Sequence, residues 1–438
     1  MFTMSYIEAI LAQLPDNIKT LWLAYSGGVD SHVLLHILAM QSPHKIRHKI
    51  QVVHINHGLN SKSQSWDQHC ADVCHQLKLP YQSISIGVHH KAGESLEAVA
   101  RHARYQALAS MMHSDDCVLT AHHQNDQAET LLLQLLRGAG VKGCSAMPLI
   151  APFAKGYLYR PLLNFNREQL RQYAQQQGLQ WIEDESNDDT RFDRNFIRHK
   201  IMPTIVKRYP GALKSLSRST KHFAEADQLL TELAEQDYKN CLGSVKNTLS
   251  IGALLKLNLA RQRLLLRYWL EALSFVIPHT RKLAHIQQDV LYSRVDAMPL
   301  ITWSGVEVRR YRDNLYAMAP LCPHKQRKTL AWDLTKALRL PNNLGILQAQ
   351  ASLGQGLKTP SSTLEVRFRH GGERFHPAGR VQSQTLKKLL QDWSVPPWQR
   401  DRIPLLYYDQ HLICVVGYNI HKDFIAQSNQ KSWQVRLC

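Results

Sequence analysis

The stretch LWLAYSGGVDSHVLLHIL, from Leu21 to Leu38, constrains the fold more than any other part of the chain. Leu21 to Tyr25 read as a buried strand, Ser26 to Ser31 as a glycine-rich turn, and Val33, Leu34, Leu35, Ile37 and Leu38 as the apolar face of a helix. A strand running through such a turn into a helix suits an anion. Gly27 and Gly28 let backbone N–H groups approach it closely, Ser26 and Ser31 add hydroxyls, and the helix N-terminus contributes roughly half a positive charge. The expected phosphate cradle is therefore Ser26, Gly27, Gly28, Val29, Asp30 and Ser31. No Gly-Lys-Ser/Thr follows, which excludes a Walker A loop. Asp30 is the informative member, because a carboxylate beside phosphates is repulsive unless a divalent cation such as Mg²⁺ sits between them.

The chain continues as an α/β alternation. Strands are expected at Ile50 to Ile55, Tyr81 to Ile86 and Cys117 to Ala121, with helices at Trp66 to Leu77 and Glu94 to Met112 between them. That spacing implies a doubly wound parallel sheet. Ligands of such sheets lie beyond the carboxyl ends of the strands, where the Ser26 loop, the Asn56 to Leu59 turn and the segment after Ala121 would gather. His54 and His57, at a strand end, read as hydrogen-bonded structural residues.

Three further clusters carry chemistry. In HHQNDQAET, helical spacing would put His122, Asp126 and Glu129 on one face at i, i+4 and i+7, with Leu131 to Leu136 anchoring the other face. In LEAVARHARY, Glu97, Arg101 and Arg104 share a face, and two arginines one turn apart suit phosphate oxygens. An ion pair between Glu97 and Arg101 is the alternative. In WIEDESNDDTRFDRNFIR the acids read as a charged loop, and Arg194, Asn195 and Arg198 open the next helix with basic groups for RNA phosphates or ATP.

Charge and length bound the partners. Lys plus Arg number 53 against 35 acidic residues, a net charge of +18, so the expected partner is a polyanion, and RNA or DNA rather than a membrane. No apolar run approaches the ~20 residues needed to span a bilayer, and the N-terminus lacks a signal-peptide pattern, so a cytoplasmic protein is expected. The eight cysteines show no CxxC pair, which argues against structural zinc and a disulfide framework; Cys70 and Cys74 read as half-buried thiols on a helix. At 438 residues two or three domains are expected. The expected order is an α/β domain at 1–211, a mainly helical domain at 212–325 ending in the proline-containing linker Pro320 to Lys328, and a small α+β domain at 326–438. The helical part is carried by AEADQLLTELAEQ and LARQRLLLRYWLEAL, with a strand-like stretch near Val306 to Tyr316. The last part has strands near Leu364 to Arg369 and Leu412 to Val416 and a helix around Gln384 to Asp392. Its side chains Arg367, Arg369, Arg374, Arg380, Lys387, Lys388, Trp393, Trp398 and Arg400 suit RNA contact and base stacking.

The string Ser26 to Ser31 resembles the pyrophosphate loop (PP-loop) of the N-type ATP pyrophosphatases, which cleave ATP to AMP and pyrophosphate while adenylating an acceptor. Sulfur-inserting relatives usually display catalytic or cluster-binding cysteines, so the scattered cysteines demote sulfur transfer. The ordered set SGGVDS, VHINHGL, LEAVARHARY, AHHQNDQAET and EDESNDDTRFDRNFIR, followed by RFRHGGERFHPAG and LKKLLQDWSVPPWQRDRIPLLY, resembles the tRNA(Ile)-lysidine synthetase family over nearly the whole length. The resemblance implies a ligase that uses ATP to adenylate the C2 oxygen of the wobble cytidine in an isoleucine tRNA with a CAU anticodon. The ε-amine of L-lysine then displaces AMP, and the tRNA switches from methionine to isoleucine specificity.

Carried over by position, Ser26 to Ser31 hold the ATP phosphates, Asp30 reaches Mg²⁺, and His122, Asp126 and Glu129 match the active-site helix, with the carboxylates recognising the lysine amines. Arg104 and Arg198 match arginines that handle ATP or substrate; the spacing leaves open Arg101 against Arg104 and Arg194 against Arg198. Arg198, Arg374, Lys387 and Lys388 are expected at the tRNA. The chain departs from the family at Asn125, where many members have a second aspartate. Whether it acts alone or as a homodimer, and which group is the general base, stay open. Two other classes compete. A small-molecule adenylating ligase such as GMP or NAD synthetase does not need the +18 charge, and a non-catalytic RNA-binding protein does not need an intact Asp30 and both serines.

Overall fold

The computed structural model describes residues 9–438 other than 10, 16, 43, 59–61, 88–95, 295–296, 325–328, 360 and 362. Glu94, Leu59 and the end of the expected linker lie outside the described residues, as does the side chain of Glu97. The chain forms two compact units, residues 1–233 and 234–438. Among the described residues no helix is long and apolar enough to cross a membrane.

The first unit is built on a six-stranded sheet of β1 (Thr20–Ala24), β2 (Ile50–Asn56), β3 (Tyr81–Ser85), β4 (Asp116–Leu119), β5 (Ile150–Phe153) and β6 (Gly156–Tyr159). Their order is β3-β2-β1-β4-β6-β5; all neighbours are parallel except the β5–β6 hairpin at the edge. β1 and β4 lie side by side, Leu21 opposite Cys117 and Leu23 opposite Leu119, while the chain leaves β1 toward β2 and continues from β4 toward β6. That divergence opens a crevice at the carboxyl ends of β1 and β4, the place where doubly wound sheets bind ligands.

Helix α1 (Val29–Gln41) follows β1, α2 (Ser63–Gln76) follows β2, α3 (Leu96–Met111) precedes β4, and α4 (Gln124–Leu136) follows it. α1 is apolar nearly all round because it is covered on both sides, burying Val33, Leu34, Leu35, Ile37 and Leu38 among Leu21, Leu23, Ile50, Val52 and Leu119. Its outer cover is α5 (Arg167–Gln176), tied to it by Tyr173 Oη and His36 Nδ1 at 3.0 Å. Cys70 and Cys74 are fully enclosed in the same core, deeper than their sequence context implies.

Within the α/β region the expected strand and helix bounds that fall among the described residues lie within three residues of those observed. The β5–β6 hairpin and α5 are not foreshadowed, for physical reasons. The hairpin strands are four residues each, one with a proline, too short for periodicity to register, and α5 buries only Leu170 and Ala174 in an otherwise polar sequence. After α5 the chain passes a 3₁₀ turn, Glu185–Asp188, into α6 (Asp193–Phe196), a π-helical turn at Ile197–Ile201, and α7 (Met202–Arg208). Helix α8 (Ala212–Asn240) begins in this unit, one residue after the expected domain boundary.

In the second unit, α9 (Leu259–Ala272) and α10 (Thr280–His285) pack on a sheet ordered β7 (Leu249–Ser250), β10 (Asn314–Met318), β9 (Val306–Tyr311), β8 (Leu300–Trp303). Trp269, Leu265, Leu283, Val308 and Leu315 form its core. The region expected as mainly helical thus carries a four-stranded antiparallel sheet, in which the strand-like stretch near Val306 is a hairpin. The C-terminal part is β-rich: a sheet of β11 (Leu330–Asp333), β14 (Thr363–Arg367), β17 (Leu405–Tyr408), β18 (His411–Val415) and β19 (Asn419–Ile420), and another of β12 (Leu338–Arg339), β13 (Ile346–Leu353) and β20 (Lys431–Leu437). A small pair, β15 (Arg374–Phe375) and β16 (Gln384–Thr385), leads into α11 (Leu386–Asp392). The two parts join through Arg312, which donates to the Gln391 carbonyl at 2.6 Å, and through Trp398, whose ring meets Tyr316 edge-on at 5.3 Å.

Candidate functional site

The loop expected to cradle phosphate has a fixed shape of its own. Gly27 has φ +79°, and a Cβ there would sit 2.4 Å from Ile182 Cδ1 and 3.1 Å from Cys70 Sγ. The Ile182 N–H donates to the Gly27 carbonyl at 2.9 Å, so the loop is clamped by the segment after α5. Only glycine fits that clamp. Ser31 Oγ donates to the Gly28 carbonyl at 3.0 Å and accepts from the Ser26 N–H at 3.2 Å, while Ser26 Oγ lies 3.0 Å away. Ser31 is buried, and its hydroxyl holds the loop rather than facing outward as a donor. Gly28 caps α1 with no side-chain acceptor, which leaves the first-turn N–H groups for an anion.

Asp30 stands in that first turn. Its Oδ1 is buried without a hydrogen-bond partner, and its Oδ2 lies 3.5 Å from His123 Nε2. A carboxylate oxygen left bare beside a phosphate cradle fits a hard cation. Among the described residues no group of three or more His, Cys, Asp or Glu could hold a metal by itself.

His123, 1 % exposed, was not among the expected site residues. It is the N-cap of α4 in a capping box: its Nδ1 accepts from the Asp126 N–H at 3.4 Å and Asp126 Oδ2 accepts from the His123 N–H at 2.9 Å. Nδ1 as acceptor puts the proton on Nε2, facing Asp30. Burial opposes a charged imidazole here, but the carboxylates of Asp126 and Asp30 outweigh it and hold the group above its ordinary value. The available signal was its place three residues before an aspartate at a helix start.

α4 begins at Gln124, so His122 lies before the helix rather than on its face, a correction to the expected i, i+4, i+7 array. Its Nδ1 is 2.9 Å from Thr120 Oγ1. Burial, with Arg160, Arg101 and Arg194 adding positive charge, pushes His122 down to about 3 despite Asp126. The side chain is neutral at physiological pH. The sign follows: a folded value below the unfolded ~6.5 means the unfolded chain binds the extra proton, so stability is lost as pH falls through that interval. In His122→Gln, denaturant unfolding between about pH 6.5 and 4 is expected to show a shallower loss of stability than the wild type. An identical slope in both would contradict a neutral imidazole held at this position.

Asp126 and Glu129 do lie on one face of α4, and the second half of the site comes from the helix seventy residues on. Arg194 Nη2 reaches Asp126 Oδ1 at 2.7 Å and its Nε lies 3.3 Å from Glu129 Oε2. Arg198 donates through Nε to Glu129 Oε1 at 2.8 Å, through Nη2 to Glu129 Oε2 at 2.9 Å, and to Asp126 Oδ1 at 3.1 Å. Burial opposes ionisation of Asp126, but His123, Arg194 and Arg198 hold its carboxyl well below the usual carboxylate range. Both arginines left open by the spacing are thus present, in one charged tetrad with two carboxylates. Arg198 is engaged inside the protein rather than held out to solvent.

The other expected arginine lies elsewhere on the sheet edge. Arg104 Nε is 3.3 Å from His57 Nε2, beyond the end of β2. Burial and the Arg104 charge push His57 down to about 4. Arg101, one turn earlier, lies over the Tyr105 ring at 5.0 Å and contributes to the field at His122. Asn125 has a plain structural role: its Oδ1 accepts the Arg167 N–H at 3.0 Å, joining the starts of α4 and α5. That task needs an acceptor and no charge.

In the second unit, Arg374, Lys387 and Lys388 are exposed, the two lysines on α11 opposite buried Leu386, Leu389 and Leu390. Arg374 also donates to the Ser383 carbonyl at 3.1 Å, and further basic residues expected at RNA have internal partners: Arg369 pairs with Asp401 at 3.1 Å, Arg380 with Asp392 at 3.0 Å, and Arg400 donates to the Val395 carbonyl at 2.9 Å. Arg367 pairs with Glu365 and lies 4.5 Å over the Tyr407 ring.

Three family models match the chain: a PP-loop domain over residues 4–205, a TilS substrate binding domain over 249–316 and a TilS substrate C-terminal domain over 364–437. The chain is similar to the tRNA(Ile)-lysidine synthase of Coxiella burnetii, 43% identical over 441 residues that span 100% of this chain and 97% of that protein. It is similar to the same enzyme of Pectobacterium atrosepticum, 40% identical over 416 residues, 94% of this chain and 93% of that one. Among solved structures, a TILS C-terminal domain aligns with 25% of this chain and 98% of its own, at 22% identity and a TM-score of 0.21.

Proposed function

The chain belongs to the tRNA(Ile)-lysidine synthase family and is an ATP-dependent ligase, and from that premise we propose that it joins free L-lysine to C2 of the wobble cytidine in an isoleucine tRNA with a CAU anticodon. The observation that carries this reading is the wall shared by two sites. Through His123, the aspartate of the phosphate cradle touches the carboxylate of Asp126, so a nucleotide and a cationic amine would meet side by side.

The chemistry dictates two steps. A ring carbonyl oxygen is a poor leaving group, so the C2 oxygen first attacks the α-phosphorus of ATP, and the bond to pyrophosphate breaks. The lysine ε-amine, having lost its proton, then attacks C2, and AMP departs with the oxygen. The first-turn N–H groups of α1 and the backbone at Gly28 hold the phosphates. Asp30 would hold a Mg²⁺ there, and such a cation would supply neutralisation of the phosphate charge. His123 holds Asp30 through Oδ2, which leaves Oδ1 as the oxygen that would take a cation.

Asp126 and Glu129 bind the lysine ammonium groups, and one of them receives the ε-proton. Arg194 and Arg198 hold the Asp126 carboxyl ionised and pair with Glu129 until lysine arrives, then face the developing negative charge on the leaving phosphate. Arg374, Lys387 and Lys388 contact the tRNA backbone. The product changes the base-pairing edge of the wobble nucleotide, which moves the tRNA from methionine to isoleucine decoding.

Nuclease digestion of the reacted tRNA tests the site of attachment. One nucleoside heavier than cytidine by a lysine less a water is expected, and lysine released by mild alkali from the tRNA 3′ end would instead indicate aminoacylation and contradict the reading.

A further inference from the structure

Between Asp193 and Glu225 the chain carries no acidic residue and eight Lys or Arg. The stretch starts at Arg194 and Arg198 in the charged tetrad and runs through the π-helical turn and α7 into the first turns of α8. Most of it belongs to none of the family matches, since the PP-loop match ends at residue 205 and the substrate binding match begins at 249.

The packing turns this run of charge into a surface. Ala128 and Leu133 of α4 cluster with Ile197 and Met202, and these with Leu213 and Leu216 of α8. Helical periodicity turns the half-buried Leu213 and Leu216 and the buried Ser217 and Thr220 inward, and presents Lys214, Arg218 and Lys221 at i, i+4 and i+7 on an adjacent, exposed face. At 1.5 Å rise per residue these three cations span about 10 Å. Lys200, Lys207 and Arg208 are exposed on the preceding segment, and Tyr209, 61 % exposed, has the Arg208 guanidinium 5.5 Å from its ring centroid. The stripe rests on the helix that carries Asp126 and Glu129, through one layer of apolar side chains.

We propose that Lys214, Arg218 and Lys221, continued by Lys207 and Arg208, form a docking track for the sugar–phosphate backbone of the tRNA whose base enters the tetrad pocket. The proposal rests on the tRNA-ligase reading. A row of cations with no interspersed acid suits a polyanion, since each neutralised phosphate releases a counterion. The row is about as long as three successive phosphates of one strand. Its packing against the active-site helix through that apolar layer couples backbone position to base position. An arginine beside an exposed tyrosine adds a stacking surface at the end of the row.

The full-length chain is titrated with a CAU-anticodon isoleucine tRNA transcript from about 50 to 200 mM salt. The triple variant Lys214→Gln/Arg218→Gln/Lys221→Gln is expected to lower the log–log slope by about 2 to 2.7, at about 0.7 to 0.9 per contact, and Lys214→Arg/Lys221→Arg to keep it. If the triple variant loses its thermal midpoint, Arg218→Gln alone is expected to lower the slope by about 0.7 to 0.9. An unchanged slope in folded variants overturns the proposal. So does an unchanged tRNA slope accompanied by loss of binding to anionic phospholipid vesicles, which would give this face to a membrane surface. Failure of the wild type to transfer lysine, with the slope still reduced, would sink the ligase reading and leave the track standing.

Discussion

Replacing Asp30 with alanine is expected to lower AMP formation by at least about 1000-fold while leaving tRNA affinity nearly unchanged. The carboxylate makes no core contact: Oδ1 has no hydrogen-bond partner, and Oδ2 touches only His123 among charged groups. Its loss therefore removes little stability and most of what a cation would hold beside the phosphates. Charge repulsion supplies an internal control. In a chelator, Asp30→Ala is expected to bind ATP more tightly than the wild type, since a bare carboxylate repels the triphosphate; with Mg²⁺ the order reverses. Asp30→Asn keeps an acceptor for His123 and should follow the alanine variant. A parallel loss of tRNA binding would mean that Asp30 supports folding instead.

Glu129→Leu is expected to reduce lysine transfer by at least about 100-fold and to cost about 2 to 4 kcal/mol of unfolding free energy. Glu129 is buried and accepts two hydrogen bonds from Arg198, whose charge would be left with Asp126 alone. Because the arginine keeps some solvent access and one remaining partner, the figure sits at or below the usual range for breaking a buried pair. Adding Arg198→Met removes the stranded charge and is expected to restore most of the stability without restoring activity. Denaturant unfolding and lysine transfer measured on both variants separate the two roles. Recovery of transfer together with stability would reduce the tetrad to a structural ion pair.

Much of the nucleotide half was legible because its determinants are local. The strand, turn and helix of Leu21 to Leu38 are consecutive, and strands β1 to β4 announce themselves through apolar runs separated by helical pattern. The tetrad was legible only in pieces. Asp126 and Glu129 follow from helical spacing, but nothing in the sequence says that Arg198, 69 residues after Glu129, closes onto both. Which of two adjacent histidines caps α4 turns on a one-residue helix boundary, and pattern reasoning does not resolve boundaries that finely. Arg369, Arg380 and Arg400 look like RNA contacts by composition, because a sequence does not show which arginines already have a carboxylate or carbonyl partner. Asn125 looked like a lost charge; its amide oxygen serves the Arg167 N–H, a task an aspartate would perform equally well.

Transfer of radiolabelled L-lysine to a CAU-anticodon isoleucine tRNA transcript tests the proposed activity most directly. Incorporation is expected only when ATP is present, with AMP and pyrophosphate released alongside it. No incorporation at saturating ATP, lysine and tRNA would contradict it, as would AMP release that proceeds equally well with no tRNA in the reaction.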